Sequence, residues 1–292
     1  MKILVGYTHT AGGGDAVRLG VRLARALDAT LELVMVLTSE RGALVPRDAG
    51  YTQHVRTAAE SWLAEAAGTV PDDVRVGTHV EQADSAAGGL LSASRRLGTT
   101  LIVVGGRERT GSVANSLLHA SRVPVAVAPT TAGGAGGGTP AEAPLTRVTA
   151  AVGLRPGAEE VMRAAAAAAA RTGTDLRVLS LVPLDAKDPA APEAAATANE
   201  HAERVRGFLE AAAPEVAVTD VAVATGRGIE DAVRRAEWQP GDLVVVGSSR
   251  LASRGRIFLG STAGKMLRAL PVPLVIVPRE TELTFDDEET TA

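Results

Sequence analysis

Short runs of apolar residues alternate along this chain with longer stretches whose apolar positions recur at helical spacing. The clearest run, Leu243-Val244-Val245-Val246, has Gly241-Asp242 before it and Gly247-Ser248-Ser249 after it. It has no polar face, which fits a parallel strand buried on both sides. The same reading predicts strands near residues 2–7, 31–37, 74–81, 100–105 and 124–128, then again near 147–153, 176–182, 216–223, 242–247 and 273–277. Helical stretches separate them; the most extreme, Ala164 to Ala170, is a thin helix able to lie close to a sheet. Five strands interleaved with four helices, twice over, predict the α/β class with a parallel, doubly wound sheet in each half.

The two halves are copies. Lys2-Ile3-Leu4-Val5-Gly6 corresponds to Arg147-Val148-Thr149-Ala150-Ala151, and Leu31-Glu32-Leu33-Val34 to Leu176-Arg177-Val178-Leu179, both at an offset of 145. Leu101 to Gly105 matches Leu243 to Gly247 at 142, and the Pro-flanked last strand, Pro124 to Pro129, matches Pro273 to Pro278 at 149. The glycine-rich stretch from Thr130 to Pro140 reads as a flexible linker. The expected organisation is therefore a first domain over 1–130, a linker over 131–145, a second domain over 146–279 and an acidic, disordered tail over 280–292.

Composition narrows the function classes. At 292 residues the chain can form about two domains with their own cores. Aromatic residues make up 2 %, so the core is aliphatic and a base-stacking surface for single-stranded nucleic acid is not expected. The absence of cysteine excludes disulfides, thiol catalysis and cysteine-ligated metals. The net charge of −4 lies in the tail, where six carboxylates face Arg279 alone, so the remaining body near neutrality lacks the footprint of a nucleic-acid binder. No apolar stretch reaches membrane-spanning length and no export signal precedes the first strand, so a cytoplasmic protein is expected.

The chemistry concentrates after Leu243 to Val246. A loop leaves the strand at Gly247, and Gly260-Ser261-Thr262 opens a helix in which Met266, Leu267 and Leu270 share a face. Free amides and the positive dipole end of that helix, with the hydroxyls of Ser261 and Thr262, suit a phosphate. A turn glycine and a capping serine explain the same residues without a ligand. Gly247, Arg250, then nine residues and Gly260-Ser261 resemble the Gly-x2-Gly-x9-Gly-(Ser/Thr) loop of universal stress proteins, with Arg250 in place of the second glycine. Pro271-Val272-Pro273-Leu274-Val275-Ile276-Val277-Pro278 resembles that family's last strand.

The resemblance implies two tandem Rossmann-like domains of the adenine nucleotide alpha hydrolase type, each a five-stranded parallel sheet of order 3-2-1-4-5 flanked by four helices. It places ligands at the carboxyl ends of strands one and four. Nucleotide-binding positions in copy two are then Gly153, Gly226, Gly247, Ser248, Ser249, Arg250, Gly260, Ser261 and Thr262. The implied ligand is ATP or AMP, with Mg accompanying ATP. Arg250 either closes the loop against it or lends its phosphates a guanidinium. The aspartate that usually ends strand one is replaced by Thr8 in copy one and Gly153 in copy two. Copy one has a loop seven residues shorter, in which Gly105, Arg107, Gly111 and Ser112 form a weaker anion site.

No dedicated enzymatic activity is expected beyond at most slow ATP hydrolysis. A rival reading is a nucleotide-free module that binds a protein partner. A third, an adenylating enzyme, rests on Ala11-Gly12-Gly13-Gly14-Asp15-Ala16, which resembles the Ser-Gly-Gly-x-Asp-Ser loop of such enzymes with alanine at both serines. Glycines turning into a helix explain that stretch equally. His9, His54, His79, His119 and His201 show no metal-ligand spacing, and His9 alone falls on a crevice loop. Trp62 and Trp238 are expected to be partly buried. The final strands, Val125 to Ala128 and Leu274 to Val277, are sheet edges expected to pair as an intramolecular pseudo-dimer, with homodimers using another surface.

Overall fold

In β1 (Lys2–Gly6), Ile3, Leu4 and Val5 are all fully buried, so successive side chains on opposite faces are both covered. That burial requires helices above and below the sheet, and the chain supplies them in turn: α1 (Ala11–Leu27), β2 (Thr30–Thr38), α2 (Ala49–Gly68), β3 (Val76–Ala83), α3 (Ala86–Leu97), β4 (Leu101–Gly105), α4 (Ser112–Leu117) and β5 (Val125–Ala128). The second copy repeats the series as β6 (Arg147–Ala151), α5 (Ala158–Thr172), β7 (Asp175–Pro183), α6 (Pro192–Ala212), β8 (Asp220–Gly226), α7 (Ile229–Arg235), β9 (Asp242–Gly247), α8 (Ser261–Ala269) and β10 (Leu274–Val277). This computed structural model describes residues 1–38, 49–106, 112–129, 143–154, 157–184, 192–213, 215–249 and 255–279. The acidic tail and residues 131–142 of the expected linker lie outside these, as do Arg107, Gly111 and Arg250.

The described residues form two units. Unit one holds Met1–Leu117 and residues 125–129; unit two holds residues 143–279 together with Leu118–Pro124. In unit one every pairing is parallel and the order is β3-β2-β1-β4-β5, with Ile3 opposite both Leu31 and Leu101. Unit two has the same order, β8-β7-β6-β9-β10, also parallel throughout. Each sheet thus has the 3-2-1-4-5 order of its own copy, and its first strand stands at the centre.

The helices follow from their apolar stripes and caps. In α1, Val17, Val21 and Ala24 lie on the buried side, and Gly20 lets the helix approach Val5 so closely that a Cβ there would stand 2.7 Å from its Cγ2. Ser85 caps α3 by accepting from the Gly88 amide. In α5, Ala164, Ala165 and Ala169 are buried and Ala170 is exposed, so the alanine run presents one face to the core.

The third strands begin later than expected, at Val76 and Asp220 instead of 74 and 216. The reason is local: the Val74 amide donates to Pro71 O and the Val216 amide to Ala213 O, in turns that take these residues away from the ladder. Trp62 corrects another expectation, since it is an exposed residue of α2, whereas Trp238 is half-buried and donates from Nε1 to Val233 O at 2.8 Å.

Opposite polar clusters sit at matching positions of the two sheets. In unit one, buried Glu32 on β2 meets His79 at 2.7 Å and Lys2 at 3.3 Å, in space that Gly77 leaves open. In unit two the matching residue of β7 is Arg177, also buried, which donates to Thr149 Oγ1 and Glu237 O and lies 4.9 Å from the Trp238 ring centre. Fully buried Asp242 accepts both arms of Arg147 at 2.7 Å and stands 3.8 Å from Arg177. The paired hydrogen bond to Asp242 raises the Arg147 pKa, while burial and then the neighbouring Arg147 lower that of Arg177.

Candidate nucleotide site

In unit two, β6 and β9 run side by side to Ala150 opposite Val245 and then part. The Val152 amide turns to Leu179 O on β7, while β9 continues to Gly247 opposite Val277 of β10. The divergence leaves a crevice at the carboxyl ends of the two strands, where ligands bind in doubly wound sheets. At Gly247 a Cβ would lie 2.5 Å from Val161 Cγ2, so α5 packs against the strand end and glycine is what the packing admits.

The loop leaving β9 closes on itself at its base. Ser248 N–H bonds Val277 O, Ser249 N–H bonds Phe258 O at 2.9 Å, and Phe258 N–H returns to Ser248 Oγ at 2.7 Å. Gly255 enters the returning arm with φ 65°, a left-handed turn that glycine makes without strain, and its amide bonds Arg279 O. At Gly260 a Cβ would come within 3.3 Å of Ser249 Cβ, so the outgoing and returning arms touch there.

Gly260 is also the N-cap of α8, and no side chain caps the helix. Ser261 and Thr262, its first two residues, are exposed. The first amides of a helix lie beyond its own hydrogen-bond ladder, and with the dipole they favour an anion. Three of the expected positions, Gly247, Ser249 and Gly260, are therefore gathered at one loop base beside Ser261 and Thr262. The Ser248 hydroxyl is directed to Phe258 backbone and shapes the loop. Gly153 is exposed just past β6, with open space where a Cβ would stand. Gly226 is buried at the end of β8, and a Cβ there would overlap the backbone of Ala232, so α7 packing accounts for that glycine. Arg250 falls outside the described residues.

Unit one treats the matching positions differently. The first turn of α1 folds over the end of β4 so closely that a Cβ on Gly105 would overlap the carbonyl of Gly12. Gly13 is held as tightly against Thr8 O. Thr10 caps α1 by accepting from Gly13 N–H, and its hydroxyl bonds that of Thr8 at 2.9 Å. Asp15 is buried and ion-paired with Arg18, so the Gly12–Asp15 stretch is a helix start built for packing. His9 stacks on Trp62, 5.0 Å between ring centres. The Tyr7 hydroxyl beside His9 has its pKa raised by burial and then by Glu65. Of the weaker anion site, Gly105 is described, Ser112 is placed as the first residue of the six-residue α4, and Arg107 and Gly111 are outside.

The sequence reading passed over Gly255, Phe258 and Ser121, and weighed His119 only as a metal ligand. His119 meets Phe258 edge to face, 4.7 Å between ring centres, and Ser121 O and Leu118 O accept the amides of Ile257 and Leu259. Phe258, one of three phenylalanines in so aromatic-poor a chain, was the available signal. Among the described residues no cluster of three or more His, Asp or Glu is placed to hold a metal ion, and no helix is long and apolar enough to cross a membrane.

The family model of the universal stress protein family matches residues 1–129 and 144–278. Curated relatives include universal stress proteins of Mycobacterium tuberculosis and Mycobacterium bovis, each 29 % identical, with alignments covering 95 % of this chain and all of the relative. Among solved structures, a universal stress protein of Archaeoglobus fulgidus superimposes with a TM-score of 0.67 at 17 % identity, covering 95 % of this chain and 98 % of that one. A putative universal stress protein of Pseudomonas aeruginosa superimposes with a TM-score of 0.53, also at 17 % identity, covering 95 % of this chain and 93 % of that one.

Proposed function

This chain is a member of the universal stress protein family, with the family domain present twice, and from that premise we propose that it is a stress-response protein that binds an adenine nucleotide in unit two. The observation that carries the proposal is the side-chain-free cap of α8 at Gly260, set against a closed loop base at the divergence of β6 and β9. The amides of Ser261 and Thr262 and the Ser249 side chain then take phosphate oxygens, and Mg enters only with ATP. Unit one acts as a structural partner.

Calorimetric titration of the full chain with ATP, AMP and cyclic AMP, with and without Mg, tests this. Micromolar binding of at least one, weakened by Ser261→Ala, is expected; no heat from any of them contradicts it. Arg250→Ala and Arg250→Gly in the same titration separate a phosphate contact, which alanine weakens, from a block, which glycine relieves.

For assembly we propose that β5 and β10, the terminal strands of the two sheet orders, pair within one chain, as exposed edges favour. Cysteines at Val127 and Ile276 of this cysteine-free protein are then expected to crosslink within a chain. Failure to crosslink in folded protein contradicts the pairing. The second reading is a nucleotide-free module in which both loops are relics and the paired domains bind a protein partner; the packing of Gly12 over Gly105 supports its relic loop in unit one.

A further inference from the structure

The returning arm of the unit-two loop is held from both sides by an alternation of the kind that strands use. Phe258 bonds one neighbour, with its N–H to Ser248 Oγ and its carbonyl accepting from Ser249 N–H. Ile257 and Leu259, on either side of it in sequence, send their amides the other way, to Ser121 O and Leu118 O, both at 3.0 Å. The segment receiving them, Leu118–Pro124, belongs by sequence to the end of copy one but packs as part of unit two.

That segment is itself firmly made. Ser121 is fully buried, and its hydroxyl donates to Val123 O at 2.7 Å while accepting from Val123 N–H at 3.2 Å, which fixes the carbonyl that Ile257 uses. Leu118 and Ile257 are buried, and the exposed His119 lays its ring edge to face on Phe258. The arm from Ile257 to Leu259 is thus the middle of a three-part ladder that ends one residue before the α8 N-cap.

We infer that Leu118–Pro124 is a brace that positions the nucleotide loop, with Ser121 and His119 as positioning residues, so that the returning arm is formed before any ligand arrives. The inference deepens the nucleotide reading of unit two and rests on it for the ligand, though the brace is defined without one. A loop ordered in advance spares a ligand the cost of ordering it, so loosening the brace lowers affinity without removing any ligand contact. Copy two has seven more residues between its loop glycines than copy one, and its returning arm, Ile257 to Leu259, lies within that longer stretch.

Amide hydrogen exchange and ATP titration on the full chain test the inference together. Without nucleotide, Ile257 and Leu259 are expected to exchange slowly, and ATP to leave them nearly unchanged. His119→Ala, a surface substitution, is expected to speed both amides and weaken ATP by roughly two- to tenfold, the scale of one aromatic pair, with His119→Phe restoring both. Ser121→Ala is expected to act in the same direction and more strongly, while the Gly264 amide inside α8 stays protected. Fast exchange of Ile257 and Leu259 in the ligand-free chain, or unchanged exchange in both alanine variants, overturns the brace. Faster exchange with unchanged ATP affinity overturns its positioning role. If no form of the protein binds a nucleotide, the reading of the site fails, and the exchange measurements still decide the brace.

Discussion

Two copies of one fold, with the same strand order, handle the end of their fourth strand in opposite ways. In unit one the backbone of Gly12 lies against Gly105 and Thr10 caps the helix that approaches it, so packing uses the space and the capping group. In unit two, among the described residues, a Cβ on Gly247 would meet only the Val161 side chain, and the helix after the loop has Gly260 as its N-cap with no side-chain cap. The difference teaches that the fold does not fix the site: with the same strand order, a loop seven residues shorter goes with a packed strand end in unit one.

The buried polar clusters repeat the lesson with charge reversed, and they give the largest expected effect. Asp242→Ala leaves buried Arg177 and half-buried Arg147 without their carboxylate, and a loss of about 3–5 kcal/mol is expected. Glu32→Ala is expected to cost less, about 1–3 kcal/mol, because its partners Lys2 and His79 keep contact with water. Urea denaturation of both variants checks the ranking, and equal or inverted costs would break the comparison.

A smaller contrast is expected at the strand ends. Gly105→Ala sets a methyl group against a carbonyl of the backbone and is expected to cost about 2–3 kcal/mol, while Gly247→Ala meets a valine methyl and costs about 1 kcal/mol. Thermal melts of the two proteins, read against wild type, measure the gap. A Gly105→Ala protein as stable as Gly247→Ala would mean that the first turn of α1 yields easily.

The smallest effect is a pH dependence confined to unit two. His201 on α6 meets Ser180 Oγ at 2.9 Å, and burial, then Arg204, lower its pKa below about 6.5. The unfolded chain therefore takes up this proton first as pH falls. Its contribution to stability declines as pH drops through about 6.5 and levels off once the pH is below the folded-state pKa. His201→Gln is expected to flatten that part of the stability curve between pH 7 and 5. An unchanged slope would assign the acid sensitivity elsewhere.

The fold was legible because its signals are local and repeated: ten apolar runs, matched in pairs, gave both sheets, and the strand order followed from the family resemblance. The starts of β3 and β8 were not legible, because Val74 and Val216 are as apolar as strand residues and only their turn hydrogen bonds remove them. At the site, Gly247, Gly260 and Ser261 stood out through spacing. Gly226 was offered by the family resemblance, as a position beyond the third strand, yet packing against Ala232 accounts for it. Leu118, His119 and Ser121 could not be found from spacing, since they lie well over a hundred residues from the loop they hold and two of the three act through backbone carbonyls that any residue supplies.

The central claim, that the copies have diverged into one nucleotide site and one packed partner, is tested most directly by counting bound nucleotide. Equilibrium dialysis with labelled ATP is expected to saturate at one molecule per chain in wild type and to fall to background in Gly260→Val, whose side chain would press on Ser249. Saturation at two per chain, or binding that survives Gly260→Val undiminished, would contradict it.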